Sequence, residues 1–281
     1  MDSKIIGGIR LPGQVPYLNS REDFFVGNGI VGAGGSGDGT WNFLVGPDYT
    51  CPKYLKKEQI KLAIDGTEQS VTMDVHRARN TGIFYGVKTI GDLEVYLIDY
   101  AVGGYSWIAR QVIVDNKSAT ADHTVGIKAY VNPETGDERS AAIIKDSSVR
   151  ESAVALKLGT LLNCVMKFCP NWKSRYCLIC FNEPTATVTH SADTYILETA
   201  TQTIAPGGSR SVELCHYHAD GEHADSSYID LIRQGNIAAN IESCIVQWQR
   251  WFDQVDDGYS LSPDFPNELH SKCWLDIIEP A

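Results

Sequence analysis

Long apolar runs are the first thing this sequence lacks. Nothing in it approaches the ~18–20 consecutive apolar residues that span a bilayer. The opening MDSKIIGGIRLPGQVPYLNS contains no apolar stretch of signal-peptide length. The chain is therefore expected in the cytoplasm, with no membrane partner. Basic residues are also scarce: 24 Lys and Arg stand against 35 Asp and Glu, a net charge of −11. No Lys/Arg run contradicts that total, so a phosphate backbone would be repelled and nucleic acid is excluded as a partner. The G-x-S-x-G of a serine nucleophile does not occur. Nor do the eight cysteines, at 51, 164, 169, 177, 180, 215, 244 and 273, show regular spacing, in a chain too long to need a disulfide framework. Cys177 and Cys180 make a C-x-x-C inside RYCLICF. In a strand their side chains point to opposite faces, which suits small buried hydrophobes better than a zinc or redox pair. Reduced thiols are expected, and no metal or other cofactor.

What is present is glycine, aromatic residues and alternation. Residues 24–50, FFVGNGIVGAGGSGDGTWNFLVGPDYT, hold eight glycines among Phe24, Phe25, Trp41, Phe43 and Leu44. Glycine interleaved with large apolar residues implies close backbone approach and tight turns, not a disordered tract. From about residue 59 to 219 short segments follow one another. They are IKLAIDG, SVTMDVHRARN, IFYGVKTIG, LEVYLIDYAVG, SWIARQVIVDN, HTVGIKAYVN, AVALKLG, CVMKFCP, RYCLICFNEP, TATVTHS, TYILETATQTI and SRSVELCHYH. Period-2 alternation and closing Gly, Asn, Asp or Pro mark them as strands. So many strands with short turns and no helical segment between them predict a mainly β protein of two large antiparallel sheets packed face to face.

The pattern changes near residue 224. Asp225, Ser226 and Ser227 can cap a helix. Beyond them Ile237, Ile241, Ile245, Trp248, Phe252 and Val255 recur at three- and four-residue steps, one apolar helix face. Gly258 is placed to end it, and Pro263 and Pro266 forbid simple continuation. Asp253, Asp256 and Asp257 lie near its C-terminal end, where the helix dipole disfavours them, as a contact with a following domain would explain. The final NELHSKCWLDIIEPA reads as the start of another helix with nothing to pack on, so the chain is expected to be part of a longer one. These features divide it into 1–223, a β-sandwich, and 224–281, a helical linker leading into a further domain.

Three of these segments together carry a family resemblance. GNGIVGAGG (27–35) resembles the N-terminal glycine signature of glycoside hydrolase family 65 and related sugar phosphorylases. VIVDNKSATADHTVGIKAYV (112–131) and the later TIAPGGSRSVEL (203–214) resemble strand elements of their sandwich domains. QWQRWFDQV (247–255) resembles the end of their linker helix. The resemblance implies a galactose mutarotase-like super-sandwich followed by a linker helix, then an (α/α)6 barrel that holds the catalytic carboxylates. This chain would then be the non-catalytic N-terminal part of a glycoside hydrolase or disaccharide phosphorylase. Its partners would be a small-molecule carbohydrate and the helical catalytic domain of the same enzyme, and a homodimer is compatible with this. A self-contained carbohydrate-binding module and a mutarotase-like sugar-converting sandwich are the alternatives.

Candidate chemistry is sparse. A dinucleotide site needs a helix after the glycine loop, and GTWNFLVGPDYT has no helical period. The glycine block is either a set of tight turns between packed strands or a loop that reaches the sugar site of the barrel. In the second case Trp41, Asp48 and Tyr49 would bind substrate through an aromatic stacking face and hydrogen bonds to hydroxyls. HYHADGEHAD (216–225) sets His216 and His218 on one strand face with Asp220, Glu222, His223 and Asp225 nearby, which could be a metal site but reads better as a solvated polar turn. A mutarotase-like mechanism would need a histidine and a carboxylate in one pocket. His76, His123, His190 and His216, with Asp74, Asp99, Glu94 and Glu198, are available, and no pair is marked by spacing. No catalytic residue is assigned.

Overall fold

The structure is a computed structural model. It describes residues 3–12, 14–15, 23–46, 53–101, 103, 105–134, 143–145, 164–169, 175–183, 186–220 and 237–256. The strands, in chain order, begin with β1 (Ser3–Ile6), β2 (Ile9–Pro12), β3 (Gln14–Val15), β4 (Asp23–Gly27), β5 (Gly32–Ser36), β6 (Trp41–Val45) and β7 (Leu55–Ile64). They continue with β8 (Thr67–Ser70), β9 (Val75–Ala78), β10 (Phe84–Ile90), β11 (Leu93–Ala101), β12 (Trp107–Asn116) and β13 (His123–Pro133). The rest are β14 (Ile143–Lys145), β15 (Cys164–Cys169), β16 (Arg175–Phe181), β17 (Thr187–Ser191), β18 (Thr194–Glu198), β19 (Gln202–Ile204) and β20 (Ser209–Asp220). The helix α1 spans Ile237–Asp256.

Two large antiparallel sheets form the expected sandwich. One runs β14-β15-β16-β20-β12-β11-β10-β9-β3. The other runs β17-β18-β13-β7-β6-β5-β4, with β19 on β13 and β8 on β7. Alternation sorts the side chains. In β11, Leu93, Val95, Leu97 and Ala101 enter the core between the sheets, whereas Tyr96, Ile98 and Tyr100 join a second buried cluster on the outer face. That outer face is covered by the β1–β2 hairpin, through Ile6 and Leu11, and by α1, through Ile241 and Cys244. Strands β11 and β12 are therefore buried at nearly every position, although the sheet is antiparallel. Cys177 and Cys180 lie, as alternation predicts, in the inner and outer clusters respectively.

The glycine block is neither loop nor disorder but a three-stranded meander, β4–β5–β6. The outward positions of β5 are Gly32 and Gly34, and aromatic rings occupy the space that side chains there would need. A Cβ on Gly32 would lie 2.4 Å from the Phe25 ring, and one on Gly34 would lie 2.2 Å from Phe43. The two rings stack on each other at 5.6 Å. Aromatic cover of strand glycines lets so glycine-rich a segment hold its register.

Two other segments differ from the alternation. SVTMDVHRARN is not one strand: residues 71–74 bind the β5–β6 turn, with Met73 N donating to the Asp38 carbonyl and Val75 N to that of Gly37. Among the described side chains of α1, Ile241 and Cys244 are buried, with Ile245 and Trp248 partly buried, so the seam includes a cysteine that the apolar spacing passes over. The AVALKLG segment, the cap at 225–227 and Gly258 lie outside the described residues.

Gly35 faces inward, and a Cβ there would lie 1.8 Å from the Thr40 carbonyl oxygen, which is backbone and cannot step aside. Gly35→Ala is expected to cost about 2–3 kcal/mol, at the upper end of overpacking penalties, read by urea unfolding. Gly66→Ala, in an open turn where the cost is only the left-handed φ of +80°, should cost about 1 kcal/mol.

Candidate functional site

Polar residues in the inward phase of apolar strands build a charged cluster inside the sandwich. Arg110 follows Ile108 and precedes Val112 on the inner face of β12, and Asp99 lies directly opposite it on β11. Glu58 enters from β7 of the other sheet, and His216 from β20. Glu58, Arg110 and His216 have no solvent exposure and Asp99 has 3%. Arg110 Nε donates to Asp99 Oδ1 at 2.9 Å and Nη2 to Asp99 Oδ2 at 3.2 Å, a two-pronged pair. Nη2 also donates to the Gly39 carbonyl at 2.5 Å, and Nη1 to Glu58 Oε1 at 3.4 Å. The other Glu58 oxygen lies 2.6 Å from His216 Nε2. Burial pushes the Glu58 carboxyl up, but His216 and Arg110 together outweigh it and hold it below the usual carboxylate range.

Trp41 closes this cluster. Its indole Nε1 donates to Asp99 Oδ2 at 3.0 Å, its ring lies 4.5 Å from the Arg110 guanidinium, and His216 packs against it at 4.7 Å. A sugar-stacking role for Trp41 requires an open aromatic face. The structure places it at the inward phase of β6, opposite Glu58, with 0% exposure and its ring against a cation and an imidazole. The other two nominated residues, Asp48 and Tyr49, lie outside the described residues. The ends of their segment are fixed. On one side Gly46 takes φ +138° against Val31, and on the other Tyr54 N donates to the Leu44 carbonyl.

Several turns meet around Gly46 and Tyr54. Asn28 Nδ2, in the first glycine turn, donates to the Tyr105 carbonyl at 2.8 Å, and Glu134 N donates to the Tyr54 carbonyl. Below them lies His218, 1% exposed, its ring 5.2 Å from that of Tyr54. Neither His218 ring nitrogen has a hydrogen-bond partner among the described residues. Burial, with a smaller push from His216 and a weak opposing pull from Ser106, brings its pKa down to about 3, so it is neutral at physiological pH. His216 and His218 do share one face, but among the described residues no group of three His, Cys, Asp or Glu side chains could hold a metal.

Among the described residues, His76 and His123 do not assemble a sugar-converting pocket. His123 Nδ1 meets Asp65 at 2.7 Å at an exposed strand end, His76 packs on the Tyr85 ring, and the His190 side chain lies outside the described residues. Glu94 is bound by Tyr96 and Lys117, and Glu198 by Lys128. His216 with Glu58 is the pair that the fold brings together in the interior, and Glu58, Arg110 and Tyr54 were not singled out in the sequence. Their signal was a charged residue in the apolar phase of a strand: Arg110 in SWIARQVIVDN, Asp99 in LEVYLIDYAVG. The arrangement can lock the two sheets in register and exclude water. It offers no open face to a substrate among the described residues.

No family model matches this sequence, and no curated protein matches it. Solved structures do. A provisionally assigned kojibiose phosphorylase from the human microbiome aligns with 89% of this chain and 38% of its own, at 7% identity and a TM-score of 0.54. A bacterial glucoamylase complexed with acarbose aligns with 87% of this chain and 40% of its own, at 8% identity and a TM-score of 0.53. A galactose mutarotase-like protein from Lactobacillus casei aligns with 74% of this chain and 100% of its own, at 10% identity and a TM-score of 0.41. At these identities the likeness is one of fold. The chain spans about two-fifths of the length of the first two. Among the described residues no helix is long and apolar enough to cross a membrane.

Two outcomes follow from the buried cluster. Arg110→Met leaves Asp99 and Glu58 without their shared cation in a dry interior and should cost about 3–5 kcal/mol in urea unfolding. His218→Phe should act in the opposite sense. A histidine whose folded pKa is depressed to about 3 costs stability as pH falls below about 6.5, by about 1.4 kcal/mol per pH unit. Removing it should move the midpoint of acid unfolding, followed by circular dichroism, to lower pH.

Proposed function

We propose that this chain is the N-terminal, non-catalytic sandwich of a larger carbohydrate-active enzyme, a glycoside hydrolase or disaccharide phosphorylase. In this reading α1 links it to a helical catalytic domain. The observation that carries the reading is a partial alignment. At the level of fold, 87–89% of this chain aligns with under half of two longer chains named as sugar-acting enzymes, and in this reading the order is sandwich, helix, then catalytic domain. The interior supports it: the histidine–carboxylate pair between the sheets is sealed, and its partners are structural. The acidic surface is compatible with a neutral sugar and repels phosphate polymers. The segment around Asp48 and Tyr49, fixed at Gly46 and Tyr54, is the part of this chain that would reach toward a sugar held by the next domain. The protein that results is cytoplasmic.

The test is activity. The 281-residue chain, incubated with α-linked glucose disaccharides with and without inorganic phosphate, should release neither glucose nor glucose 1-phosphate. Turnover by this chain alone would overturn the reading. Calorimetric sugar binding without turnover would favour the self-contained binding module. A coding region that continues past Ala281 with a helical repeat pattern would support the linker assignment directly.

A further inference from the structure

The outer face of the β20 sheet holds a buried carboxyl that the cluster between the sheets does not use. Glu213, on β20, is 1% exposed and lies directly opposite Gln111 of β12. The Tyr100 hydroxyl of β11 hydrogen-bonds to its Oε1. No Lys, Arg or His forms an ion pair with it among the described residues. Gln111 donates its Nε2 to Ser211 Oγ at 2.9 Å, which leaves Gln111 Oε1 buried with no donor among the described residues. A carboxylate can only accept hydrogen bonds, whereas a carboxylic acid has one proton to give. The neutral form of Glu213 still accepts from Tyr100 and keeps one proton to give on the strand pair that carries Gln111.

The same patch seats the helix. The Cys244 thiol of α1 donates to the carbonyl of Ala101, the residue after Tyr100, at 3.3 Å. Ile241 and Cys244 share one buried cluster with Tyr100, Cys180, Cys215 and Tyr217. The titratable groups beside Glu213 are Tyr100 from β11 and Cys215 on its own strand; Cys244 of α1 lies next to Tyr100, and Cys180 of β16 next to Cys215. Each of them becomes negative when it ionises, so none can neutralise a carboxylate there.

We propose that Glu213 is held as the neutral acid beside the seat of α1, and that its ionisation loosens the helix from the sheet. The attachment of the helix is thereby pH-sensitive. Burial, partly offset by the Tyr100 hydrogen bond, pushes this carboxyl up to about 7. Undocking admits water and returns it toward its ordinary 4.5. A carboxyl raised in the docked state leaves docking at full strength below that ordinary value. Docking then weakens about tenfold per pH unit as pH climbs toward 7, and levels off above it.

Hydrogen exchange of the α1 amides in the full 281-residue chain, corrected for the intrinsic pH dependence of exchange, reads this out. Protection of residues 237–256 should fall about tenfold per pH unit between about pH 5 and 7 and then flatten. Glu213→Gln mimics the neutral acid and should hold protection level across the range. A flat profile in the parent chain, or an equal slope in Glu213→Gln, overturns the proposal. Should Glu213→Gln fail to fold, Tyr100→Phe carries the test. It removes the hydrogen bond that favours the ionised form, so the window should move to higher pH, and an unmoved window overturns the proposal.

Discussion

Arg110 projects from the middle of β12 into the space between the sheets and meets two carboxylates there, Asp99 from its own sheet and Glu58 from the other. Glu58 hands the network on to His216, and Trp41 covers it. An apolar filling of the same volume could be equally stable, because a buried ion pair gives back much of its attraction as desolvation. What such a filling could not do is punish misalignment. A one-residue slip of β12 would carry Arg110 to the outer face and leave two buried carboxyls without their shared cation. The cluster thus fixes which residues of the two sheets face each other, and the flanking apolar rows from Leu93 to Leu214 pack around that choice.

Much of this architecture was legible in the sequence. Alternation in LEVYLIDY and SWIARQVIVDN placed β11 and β12, and the Ile237–Ile241–Ile245 spacing placed α1. The glycine block was only half legible. Its aromatic residues pointed to close packing, but alternation cannot show Phe25 and Phe43 lying over Gly32 and Gly34, because the partner strands must first be known. For the same reason the ionic cluster was hidden. Glu58 and Arg110 are 52 positions apart in sequence, and only the pairing of sheets brings them together. Trp41 offers a ligand face only if the glycine block is a loop, whereas the block forms strands and the period-2 phase of β6 turns Trp41 inward.

The two faces of the central sheet have different chemistry. The inner face is ionic at its centre, where Arg110 meets the carboxyls of Asp99 and Glu58. The outer face, under the hairpin and α1, holds thiols, tyrosines and one carboxyl without a cation. The inner face joins parts that must not separate. The outer face meets a helix, through Ile241 and Cys244 among the described side chains.

Strand β20 occupies the middle of the larger sheet, between β16 and β12, yet it is the last strand described in the chain. Until it is made, the sheet exists only as two halves, each with an apolar edge and unpaired backbone groups. Its partner β12 lies about a hundred residues earlier, since Trp107 pairs with Tyr217. Contacts that distant make folding slow, and open strand edges invite association with other chains while synthesis proceeds. The nascent protein therefore passes through a long interval in which most of its strands exist and its central sheet cannot close.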